Sequence, residues 1–222
     1  MTIQENIKSI KLNLPKDITL IGVSKTRTME EILEAYNAGI RDFGENKVQE
    51  FTTKLEEAPA DIRWHLIGHL QTNKVKYIVG KVHLIHSLDS IKLLEEIEKQ
   101  YSKNGITASV LMQINIGREE SKTGLLLEDV DELIKACEQC NNVKVKGLMA
   151  VIPEGDEDSC RKYFKEMKNI YNTLSTKQFK NIEMNYLSMG MTNDYIFALE
   201  EGSNMIRVGE GIFGKRFYNN NK

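Results

Sequence analysis

The sequence predicts an α/β fold: a (β/α)8 TIM-like barrel spanning residues 1–222 as one domain, with an extra N-terminal helix. Three observations carry that expectation. Short apolar runs alternate with amphipathic stretches, eight such runs can be counted, and 222 residues match the roughly 200 to 250 of a single α/β barrel. Alternation of this kind implies parallel strands joined by right-handed crossovers, and eight units can close on themselves.

Residues up to about Leu14 form the helix outside the barrel. TLIGVSK (19–25) reads as the first strand, and Met29, Ile32, Leu33 and Tyr36 follow at the offsets of a helical face. The remaining strand candidates are DFGEN (42–46), WHLIG (64–68), VHLIHS (82–87), SVLMQIN (109–115), VKGLMAV (145–151), MNYLSMG (184–190) and MIRVG (205–209). Each but the last is followed by a plausible helix. The strongest helical stripes are Val130, Leu133, Ile134 and Cys137, then Cys160, Tyr163, Phe164, Met167, Ile170, Tyr171 and Leu174. Only three prolines occur, no Gly/Ser-rich linker breaks the rhythm, and NNNK (219–222) reads as a frayed tail.

Hydrophobic residues make up 41% and charged residues 28%, enough to bury a core without staples. Thirty Lys and Arg against 32 Asp and Glu give a net charge of −2, which offers no excess positive field to nucleic acid or an anionic membrane. The N-terminal MTIQENIKSIKLNLPKD lacks a signal-peptide core, and nowhere do about 18 apolar residues follow one another. A cytoplasmic protein is expected. Three cysteines then read as reduced thiols.

Barrel chemistry sits at the carboxyl ends of strands. Strand one ends in Ser24, Lys25 and Thr26. An amine placed there after LIGV is partly desolvated, which lowers its pKa and favours a Schiff-base nucleophile; a lysine snorkelling from a strand end is the alternative. After strand eight, Arg207 precedes Gly209, Glu210, Gly211 and Gly214. GEGIFG matches the dinucleotide fingerprint formally, but only KRFYNNNK follows it, with no room for the helix and acidic residue that fingerprint requires. Glycine-rich backbone that can offer amides to a phosphate survives as a reading, beside a plain terminal turn. Strand seven ends in Ser188, Met189, Gly190 and Met191, where Ser188 and the turn amides could share that phosphate, while Thr192, Asn193 and Asp194 read as helix caps.

GVSKTR around Lys25, FGENKVQE around Asn46, WHLIGHLQTNK, IHSLDS, INIGREESKTGL, GLMAV, LSMGMTNDY and VGEGIFG together resemble, in order and over almost the whole chain, the blocks of the pyridoxal phosphate homeostasis proteins, relatives of the alanine racemase N-terminal barrel. The resemblance implies pyridoxal 5′-phosphate as cofactor, Lys25 as its covalent aldimine residue, Asn46 beside it and Arg207 facing the pyridine nitrogen. It also implies Ser188, Gly190, Gly209 and Glu210 around the phosphate, chiefly through hydroxyl and backbone contacts. One departure is TRTM after Lys25, where many members carry a proline; it bears on the loop more than on the site. A guanidinium can only donate, so Arg207 would leave the pyridine nitrogen unprotonated and the ring a weaker electron sink.

Alanine racemase adds a tyrosine from a second β domain across a dimer, for which a chain ending at Lys222 leaves no room. The expectation is therefore a monomeric carrier for cofactor homeostasis with no catalytic residues, passing the cofactor to apoenzymes. A racemase-like enzyme acting on amino acids is the alternative, and a barrel enzyme using Lys25 on a phosphorylated substrate is a third reading. Lys122, in the SKTG turn, is a candidate second amine for release, set against a solvated loop lysine.

Other signals read as structural, and no metal site is expected. Cys137 and Cys140 form a CxxC near the carboxyl end of their helix, the end that does not lower a thiol pKa. His65 and His69 lack the intervening glutamate of a zinc helix, and His83 and His86 alternate across a strand, so all four default to satisfied core or rim histidines. LEEIEKQYSK is the solvated side of a helix.

Overall fold

The apolar runs become strands because each sits between turn signals and is too short for a helix of useful length. In the computed structural model, which describes residues 1–215, they are β1 (Thr19–Val23), β2 (Asp42–Glu45), β3 (Arg63–Leu66), β4 (Leu84–Leu88), β5 (Ala108–Ile114), β6 (Val143–Ala150), β7 (Ile182–Ser188) and β8 (Met205–Val208). Neighbours pair in parallel in chain order, and β1 pairs with β8 to close the barrel. The expected (β/α)8 barrel is thus the observed fold. The tail expected at 219–222 lies outside the described residues.

Helices α1 (Ile3–Leu12), α2 (Met29–Asn37), α3 (Val48–Leu55), α4 (Ile91–Lys103), α5 (Val130–Glu138), α6 (Glu157–Ser175), α7 (Tyr195–Glu200) and α8 (Glu210–Phe213) surround the strands. Both α1 and α2 open on a T-x-x-E capping box, Thr2 with Glu5 and Thr28 with Glu31, which fixes where each helix starts. Two connections differ from the sequence reading. The one after β3 is a 3-10 segment, Thr72–Tyr77, whose only buried residue is Val75, too little apolar surface to sustain an α-helical face. After β8, where no helix is expected, Gly209 opens the single turn of α8. α1 packs on α8 and α2, and Asn6 donates from its side chain to the Ile212 carbonyl at 2.9 Å, so α1 covers the flank that so short a final helix leaves.

Two apolar layers result from the period-2 alternation of the strands. The larger lies between strands and helices, where Phe43, Phe51 and Trp64 pack together. The smaller fills the lumen with Ile21, Leu84, Leu111, Met149 and Met205. Beside these, Asp42, His65, His86, Ser188 and Arg207 are buried polar residues of the same strands. Among the described residues no helix is long and apolar enough to cross a membrane.

One residue fixes the register of β6. Gly147 has φ +145°, and a Cβ there would stand 1.9 Å from the Tyr186 carbonyl oxygen of β7, where the pairing of β6 shifts register. Gly147→Ala is expected to cost about 3 kcal/mol or more through backbone displacement in the barrel wall, read as a fall in the urea midpoint; an unchanged midpoint would contradict this packing.

Candidate functional site

The carboxyl ends of β1, β6, β7 and β8 surround a cavity of about 540 Å³. Alternation along β1 puts Ile21 in the lumen, so Val23 and Lys25 follow on the same side while Ser24 turns outward. Val23 and Lys25 line the cavity, and Ser24 is fully buried behind it.

A buried ion cluster grips the turn that carries Lys25. Lys54 falls on the apolar face of α3, at i, i+3, i+6 with Val48 and Phe51, so its ammonium must find partners inside. It donates to the Ser24 carbonyl at 2.7 Å, to Glu45 Oε1 at 2.7 Å and to Glu50 Oε1 at 2.6 Å. The Ser24 hydroxyl donates to Glu45 Oε1 at 2.6 Å, and Glu50 accepts the backbone N–H of Thr26, which holds the left-handed φ of +64°. The residues on both sides of Lys25 are thereby fastened to α3. Burial pushes the Glu45 carboxyl above its ordinary pKa despite hydrogen bonds from Lys54 and Ser24, and its Oε2 has no hydrogen-bond partner. Sequence reading missed this cluster, although a lysine at the third position of an apolar helical stripe was a usable signal.

Opposite, β8 delivers Arg207, 3% exposed. Its Nη1 donates to Ser188 Oγ at 2.7 Å and its Nη2 to the Ala150 carbonyl at 2.9 Å, using two of the five N–H donors of a guanidinium. Among the described residues no carboxylate lies within ion-pair distance of it, and burial lowers its pKa to about 10 against the weaker pull of Asp194. A buried cation that lines a cavity with donors to spare calls for an acceptor in that cavity. Next along the wall come Gly209 and Glu210. The nearest neighbours of a Cβ on Gly209 would be atoms of Val23, from an ordinary 3.5 Å, so packing does not demand the glycine.

Lys25, Arg207, Gly209 and Glu210 thus meet at one cavity. Three other candidates are not among its lining residues. Asn46 is half-buried just past β2, Ser188 has its hydroxyl on Arg207 inside the barrel, and Gly190 accepts the Arg207 backbone N–H at 3.0 Å. Conversely, Thr192, Asn193 and Asp194, read from sequence as helix caps, line the cavity. Asp194 makes no side-chain cap to α7; it accepts the Met191 N–H at 2.6 Å, while Thr192 Oγ1 accepts the Gly211 N–H at 3.2 Å. Ile152, Pro153 and Cys160 also line it, and of these three only Cys160 belonged to a stripe visible in the sequence. Lys122 donates to the carbonyl of Ile152 at 3.0 Å and pairs with Glu119 at 2.5 Å, which ties the SKTG turn to the cavity wall. The thiols of Cys137 and Cys140 are buried, and burial raises their pKa to about 12 and about 11.

Residues 1–216 match the family described as "Alanine racemase, N-terminal domain". A relative from Aquifex aeolicus named "Pyridoxal phosphate homeostasis protein" is 46% identical over 202 residues, 90% of this chain and 87% of its own. The chain belongs to the pyridoxal phosphate homeostasis protein family. A member from Escherichia coli, 36% identical over 210 residues, covers 92% of this chain and 88% of its own length. PipY of Synechococcus elongatus, whose structure was solved with PLP bound, superposes with a TM-score of 0.87 at 34% identity, covering 96% of this chain and all of its own. Alanine racemase of Clostridium difficile shares the fold alone, at 14% identity and a TM-score of 0.77 over 98% of this chain and 57% of its own.

Replacing Lys54 by Met leaves Glu45 buried without its cation, an expected loss of about 3 kcal/mol near neutral pH. The sign of its pH dependence follows from the raised pKa of Glu45, which the substitution raises further. A raised carboxyl binds its proton more tightly in the folded state, so the deficit is smallest in acid and grows as pH rises through the folded pKa. Denaturant melts of both proteins at pH 5 and pH 8 check this; a deficit that widens toward acid would be wrong for a buried, uncompensated carboxylate.

Proposed function

We propose that this chain binds pyridoxal 5′-phosphate in the cavity between Lys25 and Arg207, holds it covalently through a Schiff base on Lys25, and serves intracellular cofactor homeostasis without appreciable turnover. The observation that carries this reading is Arg207: a buried guanidinium that lines the cavity, with donors beyond the two bonded to Ser188 and Ala150 and no carboxylate at ion-pair distance among the described residues. The residues fit the group. A ring nitrogen is an acceptor that suits a donor-only partner, the open backbone at Gly209 and Glu210 suits a phosphate, and a lysine at the mouth suits an aldehyde.

When bound, the cofactor supplies an electron-withdrawing ring and a reactive aldehyde. This chain's residues do the rest. Lys25 anchors, its flanking turn held by Ser24 and Thr26; Arg207 orients and keeps the ring nitrogen unprotonated, which weakens carbanion stabilisation and favours storage over chemistry. Gly209 and Glu210 carry the phosphate, with Gly190 and Ser188 supporting from behind, and Asn46 stands at the neighbouring strand end. The protein acts in the cytoplasm as a monomer and hands the cofactor to apoenzymes, and the names of its relatives as homeostasis proteins support that role.

Mixing the purified protein with pyridoxal phosphate is expected to give a visible absorption band, and borohydride reduction followed by peptide mapping to place the label on Lys25. Lys25→Ala is expected to abolish the band. Label scattered over surface lysines would sink the reading and favour a barrel enzyme for a phosphorylated substrate; racemisation of amino acids faster than by free cofactor would favour an enzyme. Gly209→Ala is expected to keep stability within about 1 kcal/mol, since its Cβ meets only ordinary contacts, while raising the Kd for the cofactor about tenfold by obstructing the phosphate. Equal losses in melting and in binding would make Gly209 a packing residue instead. If Lys122 is the second amine, Lys122→Ala slows transfer of cofactor to an apoenzyme without changing the band, and an unchanged transfer rate removes it from the scheme.

A further inference from the structure

The barrel lumen holds a line of polar side chains that ends on Arg207. Asp42 Oδ1 of β2 lies 3.0 Å from His65 Nε2 of β3, and His65 Nδ1 lies 3.0 Å from His86 Nε2 of β4. His86 Nδ1 then lies 3.2 Å from Ser188 Oγ of β7, which stands 2.7 Å from Arg207 Nη1 of β8. Exposure along the line is 7%, 1%, 0%, 0% and 3%, so these groups must satisfy one another. Outside it, Arg63 holds Asp42 through Nε at 2.8 Å. Burial opposes the charge of Asp42, yet hydrogen bonds from His65 and Arg63 outweigh it and bring the pKa to about 2, while burial depresses both histidines and keeps them neutral.

The chemistry of the two ends dictates every proton between them. Arg207 can only donate and ionised Asp42 can only accept. His65 must therefore carry its proton on Nε2, leaving Nδ1 as acceptor. His86 must donate from its own Nε2, leaving Nδ1 to accept from the Ser188 hydroxyl, whose oxygen accepts from Arg207. All four hydrogen bonds run in one direction, from the cavity toward Asp42, and no other arrangement with neutral rings satisfies them all.

We propose that Asp42, His65 and His86 are positioning residues for the ligand: acting through Ser188, they hold the Arg207 guanidinium in one orientation and commit the Ser188 proton inward, so that the line meets the cavity in N–H donors alone. None of the three lines the cavity. The consequence is a selection rule, under which the ligand atom at Arg207 must be an unprotonated acceptor. This rests on the reading above of Arg207 as the partner of the ring nitrogen. It adds that the orientation of those donors is set two strands away around the barrel, at the amino end of β2.

The test uses the full chain labelled with 15N-histidine, with and without pyridoxal phosphate, as wild type, His86→Leu and Asp42→Ala. Asp42→Ala keeps the proposal falsifiable should the leucine variant fail to fold, because Arg63 has a half-exposed side chain that can turn to solvent. In the unliganded wild type both buried rings are expected as neutral Nε2–H tautomers, with the Nδ1 signal of His86 shifting when cofactor is added. His86→Leu is expected to raise the cofactor Kd about tenfold, the worth of one buried hydrogen bond, with borohydride still labelling Lys25. Asp42→Ala is expected to raise it about threefold and to lose the single tautomer at His65. Nδ1–H or doubly protonated rings in the wild type at neutral pH would overturn the proposal. So would folded variants with wild-type affinity and band position, while the reading of Lys25 and Arg207 would stand. A wild type that forms no band at all would overturn that reading and this proposal together.

Discussion

A guanidinium buried at 3% exposure near the axis of a closed barrel constrains everything around it. Desolvating a cation costs several kcal/mol unless its donors are met, and here no carboxylate meets them among the described residues. The protein answers with Ser188, the Ala150 carbonyl and, beyond Ser188, a line of neutral histidines that ends on a carboxylate at the other end of the lumen. An aspartate in direct contact would have stabilised Arg207 more simply. It would also have occupied the donors that face the cavity, leaving nothing with which to bind an acceptor. With Asp42 four hydrogen bonds away and Asp194 beyond ion-pair distance, the cavity face of the cation is left available.

The second buried charge cluster obeys the opposite logic. Lys54 and Glu45 are in direct contact on the outer face of the barrel, and both spend their hydrogen bonds on the chain around Lys25. That pair is closed, with only Glu45 Oε2 left over. The period-2 alternation of β1 explains why the two clusters do not mix: Ile21, Val23 and Lys25 face inward, and Ser24 between them is the handle by which α3 holds the turn. Lys25 is thus held at its root, through Ser24 and Thr26, whereas Arg207 is held at the guanidinium itself.

The architecture was legible in the sequence because a barrel repeats one period eight times, and a repeated signal survives local noise; the 3-10 segment at Thr72–Tyr77 and the single turn at Glu210–Phe213 are where it faded. Lys25, Arg207, Gly209 and Glu210 were legible because each lies within a few residues of a strand's carboxyl end, and sequence position then implies place. Thr192, Asn193 and Asp194 have the composition of caps, and only the path of the chain before α7 turns them toward the cavity. The line from Asp42 to Ser188 was not legible, because its members come from four strands and their contact depends on the stagger of the closed sheet. Alternation set His83 and His86 aside as a pair, but it gave no sign that His86 meets His65 on the neighbouring strand β3. Alternation gives the face a side chain occupies but not which neighbour it meets at that height.

Storage of a reactive aldehyde asks for two properties that pull against each other, tight holding and ready surrender. A rigid lysine would hold well and release badly, since attack by a second amine needs the anchored carbon to become accessible. Under the function proposed above, the arrangement separates the two requirements along the ligand. Orientation falls to the buried end, where Ser188 and the Ala150 carbonyl hold two of the Arg207 donors. Covalent exchange falls to the half-buried mouth, where Lys25 shares the wall with Thr192, Asn193, Asp194 and Ile152, and Lys122 donates to the Ile152 carbonyl. On that reading, a second amine approaching from solvent displaces Lys25 without disturbing the contacts to Arg207. An enzyme working on the same cofactor needs the reverse, a strong electron sink at the ring and a second base poised at the mouth. The donor-only end of Arg207 withholds the first of these.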